Sequence, residues 1–463
     1  RTACRLEPML KRLIALRDEC DSPLPIYFLL SQFDPQVRLH CEIGEWLQES
    51  FRSLVLPLTL RRGDTAAAQP VPYWDVHFTN DSKLSQADAE AELRERIRES
   101  VRLRLISEVP LGAFLSGGVD SSAVVATMAG LSDTPVHTCA IGFDDPRFNE
   151  SAFAQQVADR YQTDHRLEVV QSDDFDLIDT LARLYDEPFA DSSAIPTYRV
   201  CQMARKHVTV ALSGDGGDEL FFGYSRYART LRNNAWLGKL PRAMLANRVS
   251  EPGEAARLGG LAALRAELRA GDLQGLARHR ISRWRLPEAV VIGARRLKTA
   301  YDDPDALPGV GTPGDALMAM DMACYLPEDI LAKVDRASMA VSLEARAPLL
   351  DWRVASFAWT LPMAMKARHG QLKWLPKQLL MRYLPKPLVQ HPKTGFGAPV
   401  GDWLRGPLRE WAEAQLDETR LRDEGHFDPA PIRRIWKAFL DGERKWHTHL
   451  WGVLMFQAWR DKL

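Results

Sequence analysis

Cysteine is scarce in this sequence of 463 residues, and no two cysteines stand at the spacing that metal or redox sites use. A C-x-x-C pair is the usual sign of a zinc site or a dithiol redox centre. The six cysteines are instead scattered, at Cys4, Cys20, Cys41, Cys139, Cys201 and Cys324. This spacing argues against a cysteine-bound zinc site and a disulfide framework, and it favours a reducing, cytoplasmic compartment.

The sequence also lacks an excess of charge of either sign. Its 60 lysine and arginine residues are balanced by 61 aspartate and glutamate residues, which gives a formal net charge of −1. A polyanion would meet no overall attraction, so nucleic acid is not an expected partner. With 46% hydrophobic and 26% charged residues, the composition is typical of a globular protein and not of a disordered one.

Long uncharged apolar runs are missing as well. The most apolar long stretch, Leu111 to Leu131, contains Asp120, which a transmembrane helix would bury without a partner in the bilayer. The first residues do not show the basic, apolar and small-residue order of a signal peptide. No membrane association is expected. Because the sequence begins with Arg1 and not with methionine, we expect a truncated chain.

The first 75 residues and the rest of the chain differ in pattern. Residues 1–75 contain apolar clusters without sustained periodicity, and within them Leu58-Thr59-Leu60 predicts a strand that leads into an alanine-rich linker. We place a domain edge near residue 75, so that residues 76–463 form the main domain. Beyond the edge, apolar residues recur at every fourth position and predict an amphipathic helix: Leu93, Ile97, Val101 and Leu105.

From residue 110 onward, short apolar runs alternate with helical patterns. The runs predict four buried strands, Leu111–Leu115, Val136–Phe143, Arg166–Val170 and Val208–Leu212. Helices are predicted after Asp120, after Asn149 and from Thr197 to His207. The alternation predicts an α/β fold, a doubly wound parallel sheet with flanking helices, whose ligand crevice lies beyond the carboxyl ends of the strands. Residues 240–310 are interpreted as a variable helical insertion, and the C-terminal part is expected to be largely helical.

A run of small residues lies at the end of the first predicted strand and opens the next helix: Ser116-Gly117-Gly118-Val119-Asp120-Ser121-Ser122. Small residues let backbone amides approach an anion closely, and the N-terminus of the helix adds partial positive charge. We therefore predict that a phosphate or pyrophosphate group binds here. The run has neither Walker nor Gly-x-Gly-x-x-Gly spacing. The alternative is a structural turn in which Asp120 caps the helix.

A second strand–loop–helix junction has acidic residues among glycines. Asp215, Asp218 and Glu219 follow Ser213 and Gly214. Carboxylates in such a loop suit a hard cation or a base beside a substrate, although a solvated acidic turn is commoner for a loop taken alone. An anion-binding loop and an acidic loop in one sheet together favour a magnesium–nucleotide site, with Asp120 and Asp218 as predicted metal ligands.

These motifs together resemble a known family. Residues 116–121 resemble the pyrophosphate loop of the N-type ATP pyrophosphatases, the PP-loop superfamily. With residues 212–219, 331–351, 392–396 and 403–408, they make residues 73–460 similar to the synthetase domain of the glutamine-hydrolysing asparagine synthetase family. The resemblance implies a Rossmann-like fold and an enzyme that uses ATP and Mg2+. In this family the domain adenylates the aspartate side chain, releases pyrophosphate and lets ammonia displace AMP.

The resemblance also implies roles for individual residues. Asp120 and Asp218 are the implied Mg2+ ligands, and Asp215 and Lys393 are the implied catalytic residues. Asp215 stands where well-known members have glutamate, and Lys393 would meet the negative charge that grows on the α-phosphoryl oxygens and on pyrophosphate. The residues implied to bind ATP or its pyrophosphate portion are Leu115, Ser116, Gly117, Gly118, Asp120, Ser121, Ser122, Ile141, Gly142, Ser213 and Gly214. Five other charged residues are interpreted either as part of the site or as an ion-paired scaffold: Asp335, Arg336, Glu344, Arg346 and Asp351.

The N-terminal region departs from the family. A family glutaminase uses a chain-terminal cysteine followed by glycine, with its free amine as the base, whereas Cys4 follows three residues and precedes Arg5. Residues 1–75 are interpreted as a remnant or atypical end of that domain. We therefore expect ammonia, with aspartate or a related carboxylate, to be the substrate, and no glutaminase activity. The sequence leaves a homodimer open.

Other functions stay open at this level. A relative that amidates or cyclises another carboxylate would share both loops, and a nucleotide-binding subunit without activity would share the ATP site. A tRNA-modifying sulfur transferase with the same pyrophosphate loop agrees less well with the sequence, because the C-x-x-C pairs and the basic surface often expected there are missing.

Overall fold

A computed structural model describes residues 28–33, 55–61, 77–143, 145, 147, 149–170, 176–237, 272–284, 287–295, 298–303, 310–391 and 397–463. The chain divides into two compact units, Arg1–Asp75 and Val76–Leu463. In the first unit, the described residues form two parallel strands, β1 (Phe28–Phe33) and β2 (Val55–Arg61). The predicted strand at Leu58-Thr59-Leu60 lies within β2.

The described residues of the larger unit build a five-stranded parallel sheet. The chain forms three neighbouring strands in one direction and then returns to place the fourth beside the first. This reversal creates a topological switch point, where open α/β sheets bind ligands beyond the carboxyl ends of their strands. The strands are β3 (Leu111–Phe114), β4 (His137–Phe143), β5 (Asp164–Val170), β6 (Val210–Leu212) and β7 (Glu344–Arg346), in the order β5-β4-β3-β6-β7.

Helices connect these strands. The predicted amphipathic helix is confirmed as α1 (Gln86–Arg104), which begins at the Ser85 N-cap and buries Leu93, Ile97 and Val101. The predicted helices after Asp120 and Asn149 and around Thr197 are also confirmed, with ends that differ by a few residues. The helices between the strands are α2 (Val119–Ala129), α3 (Ser151–Tyr161), α4 (Asp176–Leu184) and α5 (Ala194–Arg205).

The described residues beyond β6 are largely helical, as predicted. A π-helical segment, Asp321–Leu331, joins two of its α-helices and has Pro327 inside it. The helices and the short hairpin of this part are α6 (Gly217–Leu220), α7 (Ser225–Leu237), α8 (Leu273–Ile281), α9 (Pro313–Met320), α10 (Ala332–Met339), α11 (Trp352–Thr360), α12 (Met363–Lys366), β8 (Ala367–Arg368), β9 (Gln371–Leu372), α13 (Trp374–Leu380), α14 (Lys386–Val389), α15 (Val400–Trp403), α16 (Arg409–Gln415), α17 (Glu418–Glu424), α18 (Pro429–Leu440) and α19 (His447–Arg460). Single 3₁₀ turns lie at Pro287–Ala289, Pro348–Leu350 and Arg444–Trp446. Of the predicted 240–310 insertion, α8 and the first of these 3₁₀ turns lie within the described residues.

Two hydrophobic cores cover the faces of the sheet. Because side chains alternate along a strand, Val210 and Leu212 of β6 join the core that includes residues of α1 and α2, whereas Ala211 joins the core that includes residues of α5, α18 and α19. Both faces of the central strand β6 are therefore buried, as in a doubly wound parallel sheet, whereas the edge strand β5 exposes Leu167 and Val169. Within the part of the chain that the structure describes, no helix is both long enough and apolar enough to span a bilayer.

Candidate nucleotide and carboxylate site

The predicted anion-binding loop lies between β3 and α2. Leu115, directly after β3, still donates its backbone N–H to the Cys139 carbonyl of β4 at 2.8 Å. Gly118 is the N-cap of α2, and no side chain caps this helix. The helix N-terminus therefore keeps its backbone donors at the loop. The alternative in which Asp120 caps the helix is wrong, because Asp120 lies within the first turn.

Close contacts hold this loop in shape. The hydroxyl oxygens of Ser116 and Ser121 lie 3.0 Å apart. Gly117 has a φ of +79°, and a Cβ there would lie 2.6 Å from the backbone nitrogen of Ala154 in α3, so only glycine fits. Its carbonyl accepts a hydrogen bond from His391 Nε2 at 3.2 Å. The sequence interpretation missed His391 although the adjacent 392–396 motif indicated a site, because the contact with Gly117, 274 positions away, forms only in the fold.

The other implied nucleotide-binding residues lie at the same edge of the sheet. In the register of the sheet, Phe114 of β3 is opposite Cys139 of β4 and Ala113 is opposite Leu212 of β6. Leu115 and Ser116 directly follow β3, and Ser213 and Gly214 directly follow β6. Ile141 and Gly142 lie in the last part of β4, which extends past the end of β3.

The acidic loop meets the anion-binding loop through a lysine that the sequence interpretation missed. Lys373, directly before α13, is 5% exposed. Its Nζ donates a hydrogen bond to Asp120 Oδ2 and lies 2.7 Å from Asp218 Oδ1. Burial opposes the charge of Lys373, but the two carboxylates raise the pKa of its ammonium group above the ordinary value. Both predicted metal ligands thus reach one cationic nitrogen.

A second buried lysine holds another pair of aspartates. Lys333 of α10 is 6% exposed, and its Nζ lies 2.6 Å from Asp191 Oδ2 and 3.6 Å from Asp329 Oδ1. Although Asp191 is buried, the nearby ammonium of Lys333 lowers the pKa of this carboxyl. Burial and the charge of Asp191 raise the pKa of Asp329. The ion pairs therefore bring together residues from the α4–α5 connection, the π-helical segment and α10.

Asp215 is influenced by both lysine–aspartate clusters. Burial raises the pKa of Asp215, with further contributions from the charges of Asp120 and Asp218, while a hydrogen bond with Ser213 and the charge of Lys333 act in the opposite direction. A carboxyl in this place can take a proton from a neighbouring group. The other implied catalytic residue, Lys393, lies outside the described residues.

The remaining charged residues of 331–351 form ion pairs, as the scaffold interpretation predicts. Arg346 binds Glu344 at 2.6 Å, and Asp351 binds Arg104 at 2.8 Å. Arg336 binds both Asp335 and Asp186 at 2.8 Å. The Asp351–Arg104 pair connects the start of α11 to α1, and the Arg336–Asp186 pair connects α10 to the chain after α4.

Known proteins resemble this chain along most of its length. A family model described as asparagine synthase matches residues 92–461. A Mycobacterium tuberculosis protein named provisionally as a glutamine-hydrolyzing asparagine synthetase is 33% identical over 392 residues, which are 82% of this chain and 58% of that protein. Asparagine synthetase 1 of Bacillus subtilis, named as glutamine-hydrolyzing, is 27% identical over 412 residues, which are 84% of this chain and 61% of that protein.

A more distant match has a different name. Amidase chyE of Penicillium rubens is 24% identical over 428 residues, which are 80% of this chain and 62% of that protein. The matches therefore span about six tenths of the length of these relatives. With a family model that covers most of its residues, the chain belongs to the asparagine synthase family.

Proposed function

We propose that the larger unit, Val76–Leu463, is an ATP-dependent ligase that adenylates the side-chain carboxylate of aspartate, releases pyrophosphate and forms asparagine when ammonia displaces AMP. The observation that carries this proposal is the meeting of an uncapped helix N-terminus and an acidic loop at the switch point between β3 and β6. The helix N-terminus suits a phosphate group, and the acidic loop suits the metal ion that accompanies the phosphate.

The nucleotide would lie along the carboxyl edge of the sheet. Backbone donors from Ser116 to Ser122 would hold the pyrophosphate portion of ATP. Leu115, Ile141 and Gly142 would contact the adenosine, and Ser213 and Gly214 would also bind the nucleotide. Asp120 and Asp218 would bind Mg2+. The described residues contain no group of three or more histidine, cysteine or acidic side chains placed to hold a metal. Two carboxylates fit Mg2+ nonetheless, because this ion often completes its shell with phosphate oxygens and water.

The acceptor would bind at the second lysine cluster. An amino acid presents a carboxylate and an ammonium group together. Lys333 would pair with the carboxylate, and Asp191 and Asp329 would pair with the ammonium group, in place of the ion pairs that these three residues make with one another. This arrangement would point the acceptor side chain toward Asp215.

The remaining roles concern charge and proton transfer. Asp215, whose pKa is raised by burial, would accept a proton from the attacking ammonia. Lys393 would stabilise the negative charge that develops on the α-phosphoryl group and on the departing pyrophosphate. We place the reaction in the cytoplasm, and we propose that residues 1–75 are the end of a glutaminase domain.

A direct assay tests this proposal. The purified chain is given ATP, Mg2+ and aspartate with either ammonium or glutamine, and pyrophosphate and asparagine are measured. We expect equal amounts of both products with ammonium and none with glutamine alone, because Cys4 is followed by Arg5 and not by the glycine that follows the nucleophile of a family glutaminase. Absence of aspartate-dependent pyrophosphate release at every Mg2+ concentration would contradict the ligase. Glutamine hydrolysis that a Cys4→Ser substitution abolishes would contradict the expected ammonia dependence.

A second candidate is amidation of another carboxylate. Its support is that one similar protein has a name other than asparagine synthetase. Lys333, Asp191 and Asp329 would also accept the charged groups of amino acids other than aspartate. A screen of amino acids and peptides for carboxylate-dependent pyrophosphate release separates the two candidates. ATP binding without pyrophosphate release for any carboxylate would instead favour a nucleotide-binding subunit.

A further inference from the structure

We propose that Lys373 excludes free Mg2+ from the site, so that the metal ion enters together with ATP. This inference rests on the proposed function, because it takes Asp120 and Asp218 as the metal ligands. It adds a statement about the order in which Mg2+ and ATP bind, which the choice of metal ligands alone does not make.

The first argument is the position of the ammonium group. Lys373 Nζ contacts the carboxylates of both Asp120 and Asp218, and the lysine is 5% exposed, so little water is available to replace it. Its backbone has a φ of 52°, and the next residues, Trp374 and Leu375, are buried at the start of α13. The backbone at Lys373 is therefore anchored, and it holds the lysine side chain against the two carboxylates.

The second argument is the space around the cluster. A Cβ at Gly217 would overlap the carboxylate of Asp120, and a Cβ at Gly223 would overlap both Lys373 Cε and Asp218 Oδ1. Two glycines thus leave room for the two carboxylates and one lysine side chain, packed against backbone on both sides. A hydrated divalent cation cannot share this space while the ammonium group stays between the carboxylates.

The third argument is electrostatic. An ammonium group held between two carboxylates repels a divalent cation that approaches the same oxygens. The polyphosphate of ATP offers Lys373 new acceptors, and a lysine can move to them because it is a point charge on a flexible arm. ATP would therefore draw the lysine away and bring its own oxygens as further metal ligands. The two ligands should bind cooperatively.

The experiment measures Mn2+ binding as a probe for the metal, without turnover. Free Mn2+ is followed by electron paramagnetic resonance while the full chain is titrated, with and without the α,β-methylene analogue of ATP. Without nucleotide, we expect Lys373→Gln to bind Mn2+ at least about 10-fold more tightly than the unsubstituted chain. Lys373→Arg, which keeps the charge, should still exclude the ion. Lys386→Gln changes an exposed lysine and should behave as the unsubstituted chain.

The analogue supplies the second measurement. It should tighten Mn2+ binding to the unsubstituted chain by at least about 10-fold, and Asp218→Asn should remove that binding. Equal Mn2+ affinity of the unsubstituted chain with and without the analogue would overturn the proposal, even if Lys373→Gln fails to fold. Equal affinity of a folded Lys373→Gln and the unsubstituted chain would also overturn it. An Asp218→Asn variant that keeps full Mn2+ binding with the analogue would contradict the metal site of the proposed function instead.

Discussion

Ion pairs at the edge of the sheet differ in kind from those among the C-terminal helices. At the edge, Lys373 contacts Asp120 and Asp218, which are both distant in the sequence. Lys333 contacts the distant Asp191 and also Asp329, four residues before it. Among the C-terminal helices, Glu424 of α17 instead accepts hydrogen bonds from Arg420 and Arg460. One region places a lysine between acids, and the other places an acid between arginines.

The difference follows from the two cations. Arginine has a planar fork of donors that fixes its partners in one geometry, whereas lysine is a point charge that exchanges partners easily. Arg420 and Arg460 both also bind Asp461, so they connect α17 to the end of α19 in a lasting network. Lysine–aspartate clusters in which a ligand can replace a partner therefore indicate a binding site. Arginines that bind the same acidic residues indicate a structural scaffold.

The largest effect is expected at the cluster that would bind the metal. Asp120→Asn and Asp218→Asn should each lower the rate of pyrophosphate release by at least about 100-fold, because each removes a negative ligand of a divalent cation. Initial rates over a range of Mg2+ concentrations measure this. Asp335→Asn is the matched control, since that aspartate is exposed and pairs with Arg336, and it should stay within about twofold. A wild-type rate and Mg2+ dependence in either site variant would remove that residue from the metal site.

A smaller and more selective effect is expected at Lys333. Lys333→Gln should raise the KM for aspartate by about 10-fold or more, the value of one charged hydrogen bond, and leave the KM for ATP within about twofold. Lys333→Arg should recover part of the loss. Steady-state kinetics at saturating partner concentrations give both constants, and the melting temperature shows whether the fold is kept. An equal rise in both KM values would show that the two lysine clusters do not serve separate substrates.

The smallest effect is expected in the scaffold and concerns stability alone. The guanidinium groups of Arg460 and Arg420 hold the pKa of Glu424 at about 2 against the burial that opposes it. Because this pKa lies below the ordinary 4.5, the pairs stabilise the fold above about pH 4.5, and the contribution is lost as the pH falls toward 2. Glu424→Gln should therefore lower the free energy of unfolding by about 1–3 kcal/mol at pH 7 and by less at pH 3.

Chemical denaturation at the two pH values measures this loss. Glu418→Gln on the same helix is the control, because its pair with Arg422 is exposed and should contribute less than about 0.5 kcal/mol. A loss for Glu424→Gln that is as large at pH 3 as at pH 7 would contradict the pKa argument. Retained pyrophosphate release per folded molecule would agree with a scaffold role.

The elements of the fold that have a clear hydrophobic pattern within a short stretch of sequence were predicted correctly. The four-residue period around Leu93 identified α1, and the apolar runs identified β3 to β6. Strand β7 was missed, because Glu344-Ala345-Arg346 has no apolar run and its strand geometry comes from pairing with β6. The π-helical segment was missed for a similar reason, since its sequence has no signal that distinguishes it from an α-helix.

The two loops of the candidate site could be predicted from the sequence, but the contacts of its two lysines could not. Glycines and acidic residues stand next to one another at residues 116–122 and 213–219, so their chemistry is visible in a short window. Lys373 stands between Leu372 and Trp374, in a segment without any site pattern, and only the fold brings it to Asp120. Lys333 lies within the 331–339 motif, but its role depends on Asp191, which is 142 positions away.

The long span of the Lys373–Asp120 contact has a consequence for biosynthesis. The two residues are 253 positions apart, and Asp218 lies between them. At a synthesis rate of about 5–20 residues per second, a ribosome needs roughly 13–50 s to pass from Asp120 to Lys373. For about the last 8–30 s of that time, after residue 219 has been made, the nascent chain holds both loops of the switch point without the lysine that joins them. We infer that this edge of the sheet cannot close before residue 373 has been made, and that a chaperone which binds incomplete chains would meet it in an open state.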